Sequence, residues 1–215
     1  MKRTANLIGA SGLVGQQLLS QLLNHPEFER VRSFVRRPSG ISHPKLEEIV
    51  IDFDKPASWR NMVQGHVLFS TLGTTIKKAK TQANQYRVDY TYQYKFAKAA
   101  VENGVVAYVL VSSMGANAKS SFFYSRMKGE LEEAVSKLGF KRIFIFRPSI
   151  LDGKRTEKRT GEKIGLAISH VLTRFMLKKY RPTPVDVLAK KMIDAVVEPA
   201  RGTHHLIEAK QILAG

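Results

Sequence analysis

Near its start the chain runs Asn6-Leu7-Ile8-Gly9-Ala10-Ser11-Gly12-Leu13-Val14-Gly15 and continues into Gln16-Gln17-Leu18-Leu19. A short apolar run, glycines at G-x-x-G-x-x-G spacing and a helical pattern, in that order, describe a strand, a tight turn and a helix. Each glycine has its own physical task. Gly9 lets the chain leave the strand through a turn that side chains disfavour. Gly12 lets backbone N–H groups approach a pyrophosphate, and Gly15 lets the helix lie close to the sheet. The helix start then offers unpaired N–H groups and a partial positive charge to phosphates. Such a turn alone is weakly specific. It gains weight from Tyr124-Ser125-Arg126-Met127-Lys128, far downstream, with Ser112 and Ser113 shortly before it.

Strand-like and helix-like segments alternate from the first residues to about position 147. Apolar runs lie at Ala5–Ile8, Val31–Val35, Glu48–Ile51, Val67–Ser70, Val105–Val111 and Ile143–Phe146, and helical patterns at Leu13–Leu23, Thr81–Glu102 and Tyr124–Leu138. Apolar strands separated by helices predict an α/β fold, a Rossmann-type doubly wound parallel sheet covered on both faces. Asn103-Gly104 and Leu138-Gly139 supply helix stops. After Pro148 the pattern changes: residues 152–163 read as a basic, glycine-containing loop, Gly165–Lys178 and Val185–Val197 as helices, and Thr203–Ile207 as a last short strand. We expect one domain over 1–215. Its segment 148–215 would form a small C-terminal helical extension over the carboxyl edge of the sheet, on the substrate side.

A length of 215 residues is enough for one full core. No run approaches the roughly 18 apolar residues of a membrane helix, so membrane insertion is not expected. Met1-Lys2-Arg3 precedes an apolar stretch broken by glycines, which reads as a first strand rather than a leader. The chain has no cysteine, which excludes disulfides, thiol catalysis and Cys-ligated zinc and sets a cytoplasmic location as the expectation. The net charge of +17 invites a nucleic-acid reading. Basic residues crowd the stretch from 141 to 181, as at Lys154-Arg155 and Lys158-Arg159, but no recognition motif or interleaved aromatics accompany them. The charge is therefore read as a surface that steers an anionic cofactor or substrate, and nucleic acid is not expected as a partner. The six histidines lack metal-ligand spacing, and His204-His205 on a strand would point to opposite faces, so no metal is expected. Ser20 and Ser70 lack a nucleophile-elbow context, which argues against a hydrolase.

After the second strand comes Val35-Arg36-Arg37-Pro38. Dinucleotide folds that take NAD usually carry an acid near this point, whereas arginine suits the 2′-phosphate of NADP. Arg36 and Arg37 thus point to NADP(H). Asp52-Phe53 after the third strand offers a carboxylate that would accept from an adenine amino group or else shape a turn. Thr71-Leu72-Gly73 after the fourth strand would let the backbone pass close to a ribose. Tyr124 and Lys128, four apart on a helix, share a face. A lysine ammonium beside the phenol favours phenolate, so Tyr124 would exchange a proton with a carbonyl or alcohol while hydride moves to or from a nicotinamide ring. Ser113 would hold the substrate oxygen, and Lys128 would also bind the nicotinamide ribose.

Together these residues resemble the short-chain dehydrogenase/reductase superfamily in its atypical branch. More closely, they resemble the Tat-interacting protein family and its bacterial oxidoreductase-like relatives. Beyond the glycine turn, the likeness rests on Leu72-Gly73-Thr74-Thr75, Val111-Ser112-Ser113-Met114-Gly115-Ala116, Ser120-Ser121-Phe122-Phe123-Tyr124, Lys128-Gly129-Glu130 and Phe146-Arg147-Pro148. It implies Ser113, Tyr124 and Lys128 in the triad positions. It further implies Ser11, Leu13 and Val14 along the phosphate turn, Arg36 and Arg37 at the 2′-phosphate, and Arg147-Pro148-Ser149 on the nicotinamide and substrate side. Ile8-Gly9 stands where the family usually opens with Thr-Gly, and the long substrate domain of extended members is largely missing. The expected function is an NADPH-dependent oxidoreductase acting on a small carbonyl or alcohol. The alternative is an NADPH-binding regulator that contacts a protein partner, as the animal relatives are regarded. A nucleotide-sugar epimerase stands third. Oligomeric state is left open.

Overall fold

The computed structural model describes residues 2–153, 181–199 and 201–214, so most of the basic loop and the helix expected over 165–178 lie outside the described residues. The first strand, β1 (Arg3–Ile8), is followed by α1 (Leu13–Asn24), β2 (Phe28–Val35), β3 (Leu46–Val50), the single turn α2 (Pro56–Trp59) and β4 (Val67–Ser70). Then come α3 (Ile76–Ala79), α4 (Gln82–Tyr86), a π-helical turn at Arg87–Tyr92, α5 (Gln93–Glu102), β5 (Ala107–Val111), α6 (Phe123–Ser136) and β6 (Arg142–Arg147). The remainder holds β7 (Leu151–Asp152), β8 (Thr183–Pro184), α7 (Val185–Val197), β9 (His204–Glu208) and α8 (Ala209–Leu213).

The seven long strands pair in the order β3-β2-β1-β4-β5-β6-β9, every pair parallel. Both faces of such a sheet must be covered, which is why β4 and β5 are buried along their whole length rather than at alternate residues. Leu18 and Leu22 of α1 pack one face together with Leu188, Ala189 and Met192 of α7. Trp59, Phe96, Tyr108 and Leu131 pack the other. The indole of Trp59 stacks on Phe96 with ring centroids 3.9 Å apart. Strand order reverses direction between β1 and β4, and the crevice beyond their carboxyl ends is the place where open α/β sheets take ligands.

Two features depart from the sequence reading. The helix expected over Thr81–Glu102 is interrupted by the π-helical turn, an insertion that amphipathic spacing does not announce. The C-terminal segment adds to the sheet and its core. Its strand β9 extends the main sheet beside β6, and α7 shares the core of α1.

Candidate functional site

The glycine turn is built by steric exclusion. Gly9 has φ +89°, and a Cβ there would lie 2.5 Å from the carbonyl carbon of Thr71, so a side chain is excluded twice over. The Gly12 N–H donates to the Gly9 carbonyl at 2.9 Å, and Gly12 then caps α1 without any side-chain hydrogen bond. At Gly15 a Cβ would sit 2.0 Å from the Gly9 carbonyl oxygen. Turn and helix start are thus packed backbone to backbone, and no acidic residue occupies the first turn of α1 to compete with an anion.

This turn forms one wall of a cleft of about 1010 Å³. Of the residues expected to bind a cofactor, the cleft brings together Gly9, Ser11, Gly12, Arg36, Arg37, Phe53, Thr71, Leu72 and Gly73. Thr71 is fixed there because its hydroxyl donates to the Ile8 carbonyl at 2.9 Å, tying the end of β4 to the end of β1.

Leu13, Val14, Gly15, Asp52, Lys128 and Arg147 are not among its walls. Val14 belongs to the core, Leu13 packs against that core near Gly153, and Gly15 serves the contact just described. Asp52 takes the turn alternative: its Oδ1 accepts the Asp54 N–H at 3.0 Å, and its carbonyl accepts the Trp59 indole N–H at 3.0 Å.

Glu48 is a cleft residue that the loop sequence around Arg36 and Arg37 does not reveal: β3 lies next to β2 and brings its carboxylate into the same cleft. Glu48 Oε2 accepts the Ser39 N–H at 2.9 Å, and its buried Oε1 has no hydrogen-bond partner among the described residues.

The triad residues sit beyond β5 and on α6. Ser113 is half-buried, and among the described residues its hydroxyl donates only a long 3.4 Å bond to the Met114 carbonyl. Neighbouring Ser112 is buried and donates to Glu132. Tyr124, in the first turn of α6, is 43% exposed. Lys128, one turn on, is 3% exposed and pairs with Asp89, itself 1% exposed, at 3.3 Å. Burial works against the Lys128 charge. The Asp89 carboxylate, Tyr124 and Glu132 together more than offset this, so the lysine pKa is raised. Asp89 reaches this position from the π-helical turn, and its Oδ2 accepts the Thr74 N–H at 2.8 Å. It is the second residue the sequence reading missed, since a lone aspartate inside a helical pattern carries no signal.

Arg147 is engaged elsewhere. Its Nε and Nη2 donate to Glu132 at 3.0 and 2.5 Å, and Nη1 donates to Glu208 at 3.2 Å. These bonds tie β6 to α6 and β9 and push the arginine pKa further up. Arg147→Ala leaves the nearly buried Glu132 short of its cation and should cost about 1–3 kcal/mol in a denaturant titration. Native stability in that variant would remove Arg147 from this network.

Among the described residues no His, Asp or Glu group could hold a metal ion, and no helix is long and apolar enough to cross a membrane.

Comparison with known proteins gives a consistent picture. A family model described as NAD(P)H-binding matches residues 9–170. Protein fmp52, mitochondrial, of Emericella nidulans is 34% identical over 205 residues, covering 91% of this chain and 88% of the relative. Protein HTATIP2 of Rattus norvegicus is 35% identical over 211 residues, covering 96% of this chain and 86% of the relative. Among solved structures, the Bordetella bronchiseptica enzyme WbmG in complex with NAD and UDP has a TM-score of 0.73 at 12% identity, over 97% of this chain and 73% of that chain. WbmH of the same organism, in complex with NAD+, has a TM-score of 0.72 at 15% identity, over 95% and 75%. At such identities these structures show a shared fold.

The expected cytoplasmic location is overturned. The fmp52 relatives from Emericella nidulans, Aspergillus clavatus and Aspergillus fumigatus are named as mitochondrial proteins. A lack of cysteine removes thiol chemistry without selecting a compartment. The family match runs from the glycine turn through the helix of Tyr124 and Lys128, so the chain belongs to the NAD(P)H-binding family, as an atypical short-chain dehydrogenase/reductase-like protein related to HTATIP2 and fmp52.

Proposed function

We propose that the protein is an NADPH-dependent oxidoreductase acting on a small carbonyl or alcohol. The observation that carries this reading is the single cleft in which the glycine turn, Arg36, Arg37 and the Thr71–Gly73 loop meet at the switch point of the sheet. The open N-terminus of α1 and the N–H groups of the glycine turn suit a pyrophosphate. The two guanidinium groups suit the 2′-phosphate. Bound NADPH would supply a hydride to the carbonyl carbon. In that direction the Tyr124 hydroxyl gives its proton to the carbonyl oxygen, which becomes the alcohol, and the phenolate left behind recovers a proton from solvent. Ser113 donates to the same oxygen and holds it in line. Lys128 places a positive charge behind the phenolate, and Asp89 keeps that lysine charged in a buried position.

A second reading, a nucleotide-binding regulator without turnover, draws on the same ion pair. Asp89 offsets much of the Lys128 charge, which weakens the drive toward phenolate. Measuring NADPH consumption over aldehydes, ketones and quinones separates the two readings. Tight NADPH binding with no turnover dependent on Tyr124 favours the regulator. Arg36→Ala should weaken NADPH by about tenfold, the loss of roughly one charge-assisted hydrogen bond. NADH affinity should hardly change; equal losses for both nucleotides in calorimetry would defeat the 2′-phosphate assignment.

A further inference from the structure

Among the described residues that line the cleft, Glu48 is the single acid, beside the cations Arg36, Arg37 and Lys78. It also holds the loop that carries the two arginines. Glu48 Oε2 accepts the Ser39 N–H at 2.9 Å, two residues beyond Arg37, and the Ser39 hydroxyl accepts the Ile41 N–H at 3.1 Å. The carboxylate thus fixes the loop and brings a negative charge with it. That charge is left uncompensated among the described residues, where Oε1 is buried without a hydrogen-bond partner. Neighbouring Glu47 differs: it meets Arg32 at 3.0 Å and Arg30 at 3.9 Å. Lys45 is turned away, donating to the His25 carbonyl at 3.0 Å. Arg36 and Arg37 are exposed, open to an anion that enters the cleft.

NADP+ and NAD+ differ only by the 2′-phosphate, a group that carries about −1.5 to −2 charges at neutral pH. A wall group that acts on this phosphate therefore shows in the ratio of the two affinities. Arg36 and Arg37 attract it, and an uncompensated carboxylate in the same cleft repels it. We infer that Glu48 is a specificity-determining residue: it opposes the 2′-phosphate that the two arginines attract, and so lets NAD(H) serve beside NADP(H). This rests on the assignment of the cleft to a pyridine dinucleotide. The loop requires an acceptor for the Ser39 N–H but no charge, so the preference for NADP(H) is smaller than the arginines alone would make it.

Calorimetry of the full chain with NADP+ and with NAD+ tests this. Native protein should bind both, NADP+ more tightly. Glu48→Gln keeps an oxygen for the Ser39 N–H and removes only the charge. As an isosteric change on the edge strand β3, it should melt with the native protein. It should tighten NADP+ about tenfold, the size of one charge–charge interaction in a partly buried cleft, and leave NAD+ near its native affinity. The same gain should persist in an Arg36→Ala background, because the carboxylate acts on the phosphate rather than through that guanidinium. Unchanged NADP+ affinity, or equal tightening of both nucleotides, overturns the inference, as does a gain that vanishes with Arg36. A native protein that binds NADP+ and takes no NAD+ overturns it too. Native protein that binds neither nucleotide overturns the cleft assignment itself, a distinct result.

Discussion

Replacing Tyr124 by Phe is expected to lower NADPH-dependent turnover by about 10²–10⁴-fold, the usual worth of a positioned general acid. The side chain is 43% exposed in the first turn of α6, so deleting its hydroxyl removes no core packing and leaves no buried group without a partner. It is also not among the cleft walls, so NADPH affinity should remain at the native level. Loss of kcat with unchanged nucleotide affinity and unchanged melting temperature is the pattern of a group that acts only on the reacting oxygen. Steady-state kinetics beside calorimetry checks it. Native turnover in the variant would remove Tyr124 from the mechanism.

Lys128→Met is expected to behave very differently, with a loss of about 3–5 kcal/mol of folding stability, because Asp89 would be left buried with its charge uncompensated. Asp89 is 1% exposed and lies too deep for water to replace the ammonium. The double variant Asp89→Asn/Lys128→Met removes both charges and should recover most of that loss.

The pH dependence has a definite sign. The folded-state pKa of Lys128 is raised above its usual value, so its stabilisation is fully present below about 10.4, the ordinary lysine value. It is lost only as pH climbs through the raised one. The stability gap between native protein and Lys128→Met should narrow in strong alkali, and also on the acid side, because burial raises the Asp89 pKa and a protonated Asp89 no longer needs the ammonium. Urea titrations along a pH series measure it, and a gap that does not narrow in strong alkali would mean that Lys128 is not held as a buried cation. A consequence for kinetics is that a Lys128 variant confounds catalysis with unfolding, so Tyr124→Phe is the cleaner probe.

Local patterns made most of the fold legible. Continuous apolar runs marked β1, β4, β5 and β6, and the glycine spacing placed the turn whose packing requires Gly9 and Gly15. Arg36 and Arg37 reached the cleft because a loop at the carboxyl end of β2 has no other place to go in a parallel sheet. What stayed hidden depends on neighbours that sequence order does not reveal. Glu48 enters the cleft through the lateral pairing of β3 with β2, and Asp89 reaches Thr74 and Lys128 from the π-helical turn. Arg147 carried the opposite lesson. Its position in Phe146-Arg147-Pro148 suggested the cofactor, while Glu132 and Glu208, distant in sequence, claim all three of its donor nitrogens.

The central claim is that the cleft grips a phosphorylated pyridine dinucleotide and presents its ring to Tyr124. A crystal structure of the NADP+ complex tests it most directly. The account predicts the pyrophosphate against the Gly9–Gly12 turn, the 2′-phosphate between Arg36 and Arg37, and nicotinamide C4 facing the Tyr124 hydroxyl with room for a carbonyl between them. An ordered nucleotide whose ring points away from Tyr124, or one bound outside the cleft, would contradict it.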